Sequence, residues 1–243
     1  NEQINEPKLQ LELANAYLKV GNLQSEISTF DAKKSLETYQ KSLNIAQNLF
    51  NKSPQSYEIQ NIFASALKEI GEGQENKDSA TNFLKKAAEI REEILKSDTD
   101  NFENKIGLVQ IYSALGNAYY QTQSQSSAEY FQKALLLGQN LVNEPTATAT
   151  ELRLFAKTNQ NYALTLPPAE AINFQNKANE FFNKVLETKP NNIKAKEELG
   201  ISYLNLSNSY KSLNKQDLAA SNKKKAIEIF EKLSQDFIDF MGI

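Results

Sequence analysis

The stretch LGNAYYQTQSQSSAEYFQKALLL, Leu115 to Leu137, indicates two packed helices joined by a short polar turn. Apolar and aromatic residues recur every three or four positions on both sides of the turn, which is the period of an α-helix. Two helices whose axes lie about 8–10 Å apart admit only small side chains at their closest point. We therefore expect Gly116 and Ser127 to lie at a helix contact, with Tyr119 and Phe131 filling the space beside it.

The same spacing returns along the whole chain. In each first helix of a pair, a small or short residue stands three positions before a tyrosine or leucine: Ala14–Tyr17, Ala64–Leu67, Gly116–Tyr119, Asn159–Tyr162 and Ser207–Tyr210. In the second helices a small residue stands four positions before a bulky one: Ser35–Tyr39, Ala80–Leu84, Ser127–Phe131 and Ala178–Phe182, with Lys223 after Ala219 breaking the pattern. Because one pair cannot bury its whole apolar face, we expect the pairs to stack.

Breaks in this pattern predict ten helices in a single domain, 1–243. They form five pairs at about 7–52, 55–97, 101–143, 147–188 and 191–240, with boundaries uncertain by about 2–4 residues. Gly21 and Asn22 are expected to end the first helix, because glycine and asparagine favour helix C-termini. In the run Asp98 to Asn101, capping of the fifth helix by Asp100 or Asn101 is a better interpretation than a calcium loop, which would need a glycine and a terminal glutamate.

The composition excludes several classes of function. The chain contains no histidine and no cysteine, so Ser–His–Asp and Cys–His catalytic arrangements are impossible. No glycine-rich phosphate loop occurs, and the close pairs of carboxylates are typical of solvated helix faces. The net charge of −3 argues against a nucleic-acid partner, and no apolar run is long enough to span a membrane. We expect no enzyme activity, no catalytic residue, no cofactor, no metal site and no membrane contact.

These motifs resemble the tetratricopeptide repeat. The resemblance covers almost the whole chain and is strongest in the opening stretch and in Leu206 to Ile229. It implies an all-α, right-handed α-solenoid of about five antiparallel helix pairs. The aligned tyrosines and leucine fall at 17, 67, 119, 162 and 210, so the period is longer than the usual 34 residues or so. In this respect the chain resembles arrays attached to bacterial serine/threonine kinases and other signalling proteins.

The resemblance also implies a partner-binding surface, because the first helices of such arrays line the concave face. One position beyond each small packing residue stands a polar residue: Asn15, Ser65, Asn117, Gln160 and Asn208. Beside them lie Lys19, Tyr120, Gln121 and Lys211. An asparagine amide both donates to and accepts from a peptide backbone. The lysines are too scattered for the carboxylate clamp of related chaperone-binding arrays, and groove walls that bind no ligand are the competing interpretation.

The predicted function is a non-catalytic scaffold for protein–protein interaction that binds a protein or peptide partner on its concave face. The alternative is a regulatory or sensor domain of a larger bacterial signalling enzyme such as a serine/threonine kinase. The first residue, Asn1, and the apolar helix Ile229 to Ile243 motivate this alternative. That helix predicts a surface for a further repeat, a partner or self-association, unless it docks on its own array. Localisation stays open: cytoplasmic, or extracytoplasmic within a membrane-anchored protein.

Overall fold

The computed structural model describes residues 6–27, 32–120 and 122–241, and within these ranges every regular element is an α-helix. The helices pack in consecutive order into two compact units, Asn1–Tyr119 and Tyr120–Ile243. Their bounds are α1 (Pro7–Ile27), α2 (Ala32–Lys52), α3 (Tyr57–Glu72), α4 (Lys77–Ser97), α5 (Phe102–Tyr119), α6 (Ser124–Asn143), α7 (Ala149–Ala163), α8 (Pro168–Thr188), α9 (Ile193–Ser212) and α10 (Gln216–Met241).

Polar caps start several of these helices. The side chains of Asn76 and Asn192 accept hydrogen bonds from backbone N–H groups three residues on, and Thr148 and Glu151 form a capping box at the start of α7. Such caps satisfy N–H groups that have no partner inside the helix. At the start of α5 the carbonyl oxygen of the Asn101 side chain accepts from the N–H of Asn104 at 2.9 Å. The predicted capping role is therefore confirmed for Asn101.

The predicted end of the first helix is wrong. Helix α1 continues through Gly21 and Asn22 to Ile27. Gly21 is buried, and a Cβ atom there would overlap the ring of Tyr39 in α2. The Tyr39 hydroxyl donates to the side-chain oxygen of Asn22 at 2.8 Å. The two residues that looked like a helix stop are thus needed for close packing between α1 and α2.

The contacts within each unit follow the repeat. Pairs α1–α2, α3–α4, α7–α8 and α9–α10 pack together, and consecutive pairs also touch. First helices contact one another, as α1–α3, α3–α5 and α7–α9 show, whereas among the described residues the second helices of a unit make no such contact. The all-α fold built of helix pairs is therefore confirmed. The single domain, and the pairing of α5 with α6, which belong to different units, stay predictions.

Small residues bring the paired helices close enough for side chains to reach the facing backbone. The hydroxyl of Ser42 in α2 donates to the backbone oxygen of Ala14 in α1 at 2.8 Å. In the last pair, the hydroxyl of Ser207 in α9 donates to the backbone oxygen of Ala219 in α10 at 2.7 Å. All four residues are buried. Ala14, Ser207 and Ala219 are small positions that the repeat spacing identified, and Ser42 lies three residues after the aligned Tyr39.

Replacing Ser42 or Ser207 by alanine should lower the free energy of unfolding by about 0.5–1.5 kcal/mol, because each change removes one buried hydrogen bond at nearly constant volume. Urea unfolding followed by circular dichroism measures the change. Ser221 is exposed on α10 and is the matched control, for which we expect a change within about 0.5 kcal/mol. Equal effects at all three positions would contradict the role assigned to the two hydroxyls.

Candidate functional site

The first unit contains a cavity of about 280 Å³ between first helices α1, α3 and α5. Three residues predicted from the sequence, Asn15, Lys19 and Ser65, line it together. Helix α4 also contributes one side chain, that of Arg91. The cavity therefore joins residues from two repeats and the start of a third, and polar groups dominate its wall.

Amide side chains make up a large part of that wall. Asn15 is exposed on α1, and Asn61 on α3 and Gln110 on α5 lie across the cavity from it. The amide nitrogen of Asn61 donates to a carboxylate oxygen of Glu103 at 2.6 Å, while its side-chain oxygen is buried without a hydrogen-bond partner. Amides carry both donors and acceptors, so this wall can match the N–H and C=O groups of a peptide.

One lysine and two glutamates form ion pairs on the α3 side of the cavity. The Lys68 ammonium lies 2.6 Å from a carboxylate oxygen of Glu69 and 2.9 Å from one of Glu72. Burial acts to lower the pKa of Lys68, but the charges of Glu72 and Glu69 outweigh it, so the pKa is raised above its usual value. Lys68 thus stays charged, and its charge is already compensated within α3.

Arg91 is the unusual residue of the site. Its side chain is only 5% exposed, and its guanidinium donates hydrogen bonds to two uncharged groups, the Ser65 hydroxyl at 2.9 Å and the side-chain oxygen of Asn104 at 3.4 Å. Its Nε atom is buried without a partner. Burial lowers the pKa of Arg91, with partial compensation from Glu103 and Tyr57.

Gly107 makes room for that arginine. A Cβ atom at Gly107 in α5 would collide with the Arg91 guanidinium, so any larger residue would displace it. Arg91 could not be predicted from the repeat spacing, because it lies on a second helix and reaches the cavity only past a glycine in the next repeat. Asn61 and Glu103 were not predicted either. Asn61 could have been found, since it precedes Ser65 by one helical turn.

The remaining predicted residues do not gather in this cavity. Asn117 is exposed on α5 and lines a smaller cavity of about 210 Å³ between α3, α4 and α5. Tyr120 is 40% exposed, unlike Tyr119 at 8%. Gln121 lies outside the described residues. Asn208 and Lys211 are exposed on α9.

Gln160 does not have the open position expected for a groove residue. It is buried, and its amide nitrogen donates to the backbone oxygen of Glu198 at 3.0 Å, which ties α7 to α9. The Glu198 carboxylate in turn accepts from Arg153 at 2.7 Å and lies 3.3 Å from the Lys157 ammonium. The groove between these two first helices is therefore occupied by the protein's own ion pairs.

Several members of the close carboxylate pairs have partners of their own. Glu92 accepts from the Tyr112 hydroxyl at 2.6 Å, and Glu93 and Asp236 pair with lysines at 2.9 Å. Over the described ranges no group of three or more acidic side chains is placed to hold a metal ion. Nor does any helix in the described part of the chain combine the length and apolarity needed to cross a membrane.

A second, apolar groove of about 720 Å³ lies between α9 and α10. Ile193, Phe230 and Leu233 form its apolar lining, and Lys196 and Asp236 pair at its edge. Ile238, further along α10, is 40% exposed, while the side chains of Phe237, Phe240 and Met241 lie outside the described set. Self-association through this helix stays a prediction.

Comparisons with known proteins identify a shared fold. No family model and no curated protein sequence matches the chain. The structure of BtubC (BKLC) from P. vanneervenii matches with a TM-score of 0.58 and 13% identity over 95% of this chain and 93% of that chain. MamA matches with a TM-score of 0.43 and 18% identity, over 86% of this chain and 98% of that chain. YrrB, described as a TPR protein with an unusual peptide-binding site, matches with a TM-score of 0.36 and 19% identity. The match covers 88% of this chain and 84% of that chain.

At such identities a structural match shows the fold alone. The likeness to BtubC extends over nearly the full length of both chains. It agrees with the paired helices and with the small-residue contacts between them. Together with the repeat spacing of the sequence, these findings make the chain an all-α helical-repeat protein with a tetratricopeptide-like fold.

Proposed function

We propose that the chain is a non-catalytic interaction scaffold that binds an extended segment of a partner protein along its first helices. The observation that carries the proposal is the cavity of about 280 Å³, where Asn15, Lys19 and Ser65 meet Asn61 and Arg91. Its wall offers donors and acceptors from three first helices. A peptide backbone presents the same two kinds of group at every residue.

The packing within each unit supports the choice of this face. Over the ranges that the structure describes, first helices approach one another, whereas the second helices of a unit make no contact with each other. A layer whose helices lie closer together on one side curves toward that side, which supports the proposal that the first helices line the inner face of each unit. Inner surfaces of helical repeats are suited to extended ligands, because several repeats can contact one ligand at once.

Selection from a phage-displayed library of random peptides tests this function, with the full chain immobilised. We expect wild-type protein to enrich a family of peptides. The double variant Asn15→Ala/Asn61→Ala should bind them at least about tenfold more weakly, since each lost hydrogen bond leaves a peptide group unpaired at a cost of about 1–3 kcal/mol. Thermal unfolding of the variant checks that it is folded.

Asn48→Ala is the matched control, because Asn48 is exposed on second helix α2, away from the cavity. Its affinity for the selected peptides should equal that of the wild type. Failure to enrich any peptide family, or equal binding by the double variant and the wild type, would rule out the proposed surface. The alternative role, as a regulatory domain of a signalling enzyme, stays a prediction, since no feature of the described residues favours it.

A further inference from the structure

We propose that copies of this chain associate head to tail, with helix α1 of one copy packed into the groove between α9 and α10 of another. Both surfaces are apolar, and no helix of the described residues covers either of them. The inference is independent of peptide binding, because the residues that carry it do not line the cavity of about 280 Å³.

The first surface is an apolar stripe on α1, formed by Leu9, Leu13, Ala16, Val20 and Leu23. These residues recur at alternating intervals of four and three, so they lie along one side of the helix. Leu9, Val20 and Leu23 are each 44–56% exposed, and Ala16 is exposed too. Among the described residues, α1 packs against α2 and α3 and against no other helix. A continuous exposed stripe of this kind marks an interaction surface more often than single apolar residues do.

The same positions are buried in first helices that follow another pair. Helices α3, α5 and α9 each pack against both helices of the preceding pair. Counted from the aligned tyrosines and leucine, the equivalents of Leu9 are Ile59, Ile111 and Ser202, and those of Ala16 are Ala66, Ala118 and Ser209. All six equivalents are buried. Helix α1 therefore exposes the face that other first helices use for docking.

The second surface is the groove between α9 and α10, whose apolar lining is Ile193, Phe230 and Leu233. Ile227 lies one turn before Phe230 on the same side of α10 and is 43% exposed. In the described part of the chain, α10 packs against α9 alone.

The repeat identifies what this groove receives. Counted from the second-helix positions 39, 84 and 223, Ile227 is equivalent to Leu43 in α2 and Ala88 in α4. Leu43 and Ala88 are each only 5% exposed, and α2 and α4 each pack against the first helix that follows them. The pair α9–α10 thus leaves open the place where other pairs receive a first helix.

Contacts between α2 and α3 show how such a helix docks. The ring centroids of Phe50 in α2 and Phe63 in α3 are 5.0 Å apart. Gly73, just after α3, lies against Leu36, near the start of α2. The contacts shift backward along α2 as they shift forward along α3, so the two helices run antiparallel.

This register pairs Leu43 with Ile70. Each lies seven residues, or about two helical turns, from its phenylalanine, between the two contacts just described. Both are buried. Their equivalents are Ile227 on α10 and Val20 on α1, which are 43% and 44% exposed. Docking α1 of a second copy as α3 docks on α2 brings these two side chains together and buries both.

A second copy is the occupant that these observations favour, because the chain itself supplies a first helix with the matching apolar face. Each copy uses two different surfaces, so the contact is heterologous and produces closed rings or open chains. One helix in one groove is at the small end of specific interfaces, so we expect association at micromolar concentrations.

Sedimentation velocity of the full chain tests the proposal. The weight-average sedimentation coefficient of the wild type should rise between about 1 and 300 µM, the range of weak association. Val20→Glu places a charge in the α1 stripe, and Ile227→Glu places one beside the groove. Each variant alone should associate at least about tenfold more weakly, because a carboxylate without a partner resists burial. Both sites are exposed in the single chain, so thermal unfolding should show near-wild-type stability.

A mixture of the two variants distinguishes this contact from others. Val20→Glu keeps an intact groove and Ile227→Glu keeps an intact stripe, so an equimolar mixture should form heterodimers and no larger species. A contact between two α1 stripes would leave Ile227→Glu self-associated, and a contact between two α10 helices would leave Val20→Glu self-associated. Either of those results would overturn the head-to-tail arrangement.

Leu136→Glu is the matched control. Leu136 is 71% exposed on α6, outside both surfaces, and the substitution adds the same charge. We expect it to associate as the wild type does. A wild type that stays monomeric at every concentration would refute the proposal, as would equal loss of association in Leu136→Glu and Val20→Glu.

Discussion

Replacing Phe182 by alanine is expected to lower the free energy of unfolding of the second unit by about 3–5 kcal/mol. The Phe182 side chain is fully buried and belongs to a core cluster with Phe155, Phe181 and Leu199. Truncation removes the transfer free energy of the ring and leaves a cavity that helices fixed by their neighbours fill only in part. Urea unfolding followed by circular dichroism measures this loss.

Leu136→Ala is the control for this experiment. Leu136 is in α6 of the same unit, and 71% of its surface is exposed. We expect a change within about 0.5 kcal/mol, because its truncation leaves no cavity. A loss of the same size at both positions would mean that Phe182 does not lie in a packed core.

Gly71→Leu should destabilise the first unit by about 1–3 kcal/mol or more. A Cβ atom at Gly71 would lie 2.9 Å from Cγ of Leu84 and 3.1 Å from the backbone oxygen of Ala80. The side chain of Leu84 can move by a small amount, but the backbone of α4 cannot retreat without separating the pair. The added volume therefore forces α3 and α4 apart, and thermal unfolding should show the lower Tm.

Ala16→Leu adds a side chain of comparable bulk at an exposed position of α1 and should change stability by about 0.5 kcal/mol or less. If the two substitutions had equal effects, Gly71 would not be at a close helix contact. Wild-type stability for Gly71→Leu would also remove the argument that glycines in this chain mark close packing.

The helix pairs could be predicted from the sequence because their contacts obey a local rule. Small residues recur beside bulky ones at helical spacing, and the structure buries Ala14, Ala64, Ala178 and Phe182 as this rule requires. The end of α1 could not be predicted in this way. Gly21 has the local appearance of a helix stop, and only the position of Tyr39, on another helix, explains why the helix continues.

The candidate site was predictable only in part. Asn15, Lys19 and Ser65 follow from the repeat registry, and they meet in one cavity. The same registry also selected Gln160, which is buried and bonded to the backbone of Glu198. The position of a residue in the repeat gives the direction in which its side chain leaves the helix. It does not say whether a neighbouring helix already fills the space in that direction.

The sequence by itself determined the helix class, the pairing of helices within each compact unit and the small residues at contacts such as Ala14 and Ser207. These features depend on spacings within one helix or between neighbours in the chain, where a side chain's direction follows from helical geometry. Only the tertiary structure decided which polar residues share a cavity and which charges remain unpaired. Arg91, Gly107 and Ser65 come together from three helices, and the balance of charge around a buried arginine depends on distances that no single helix fixes.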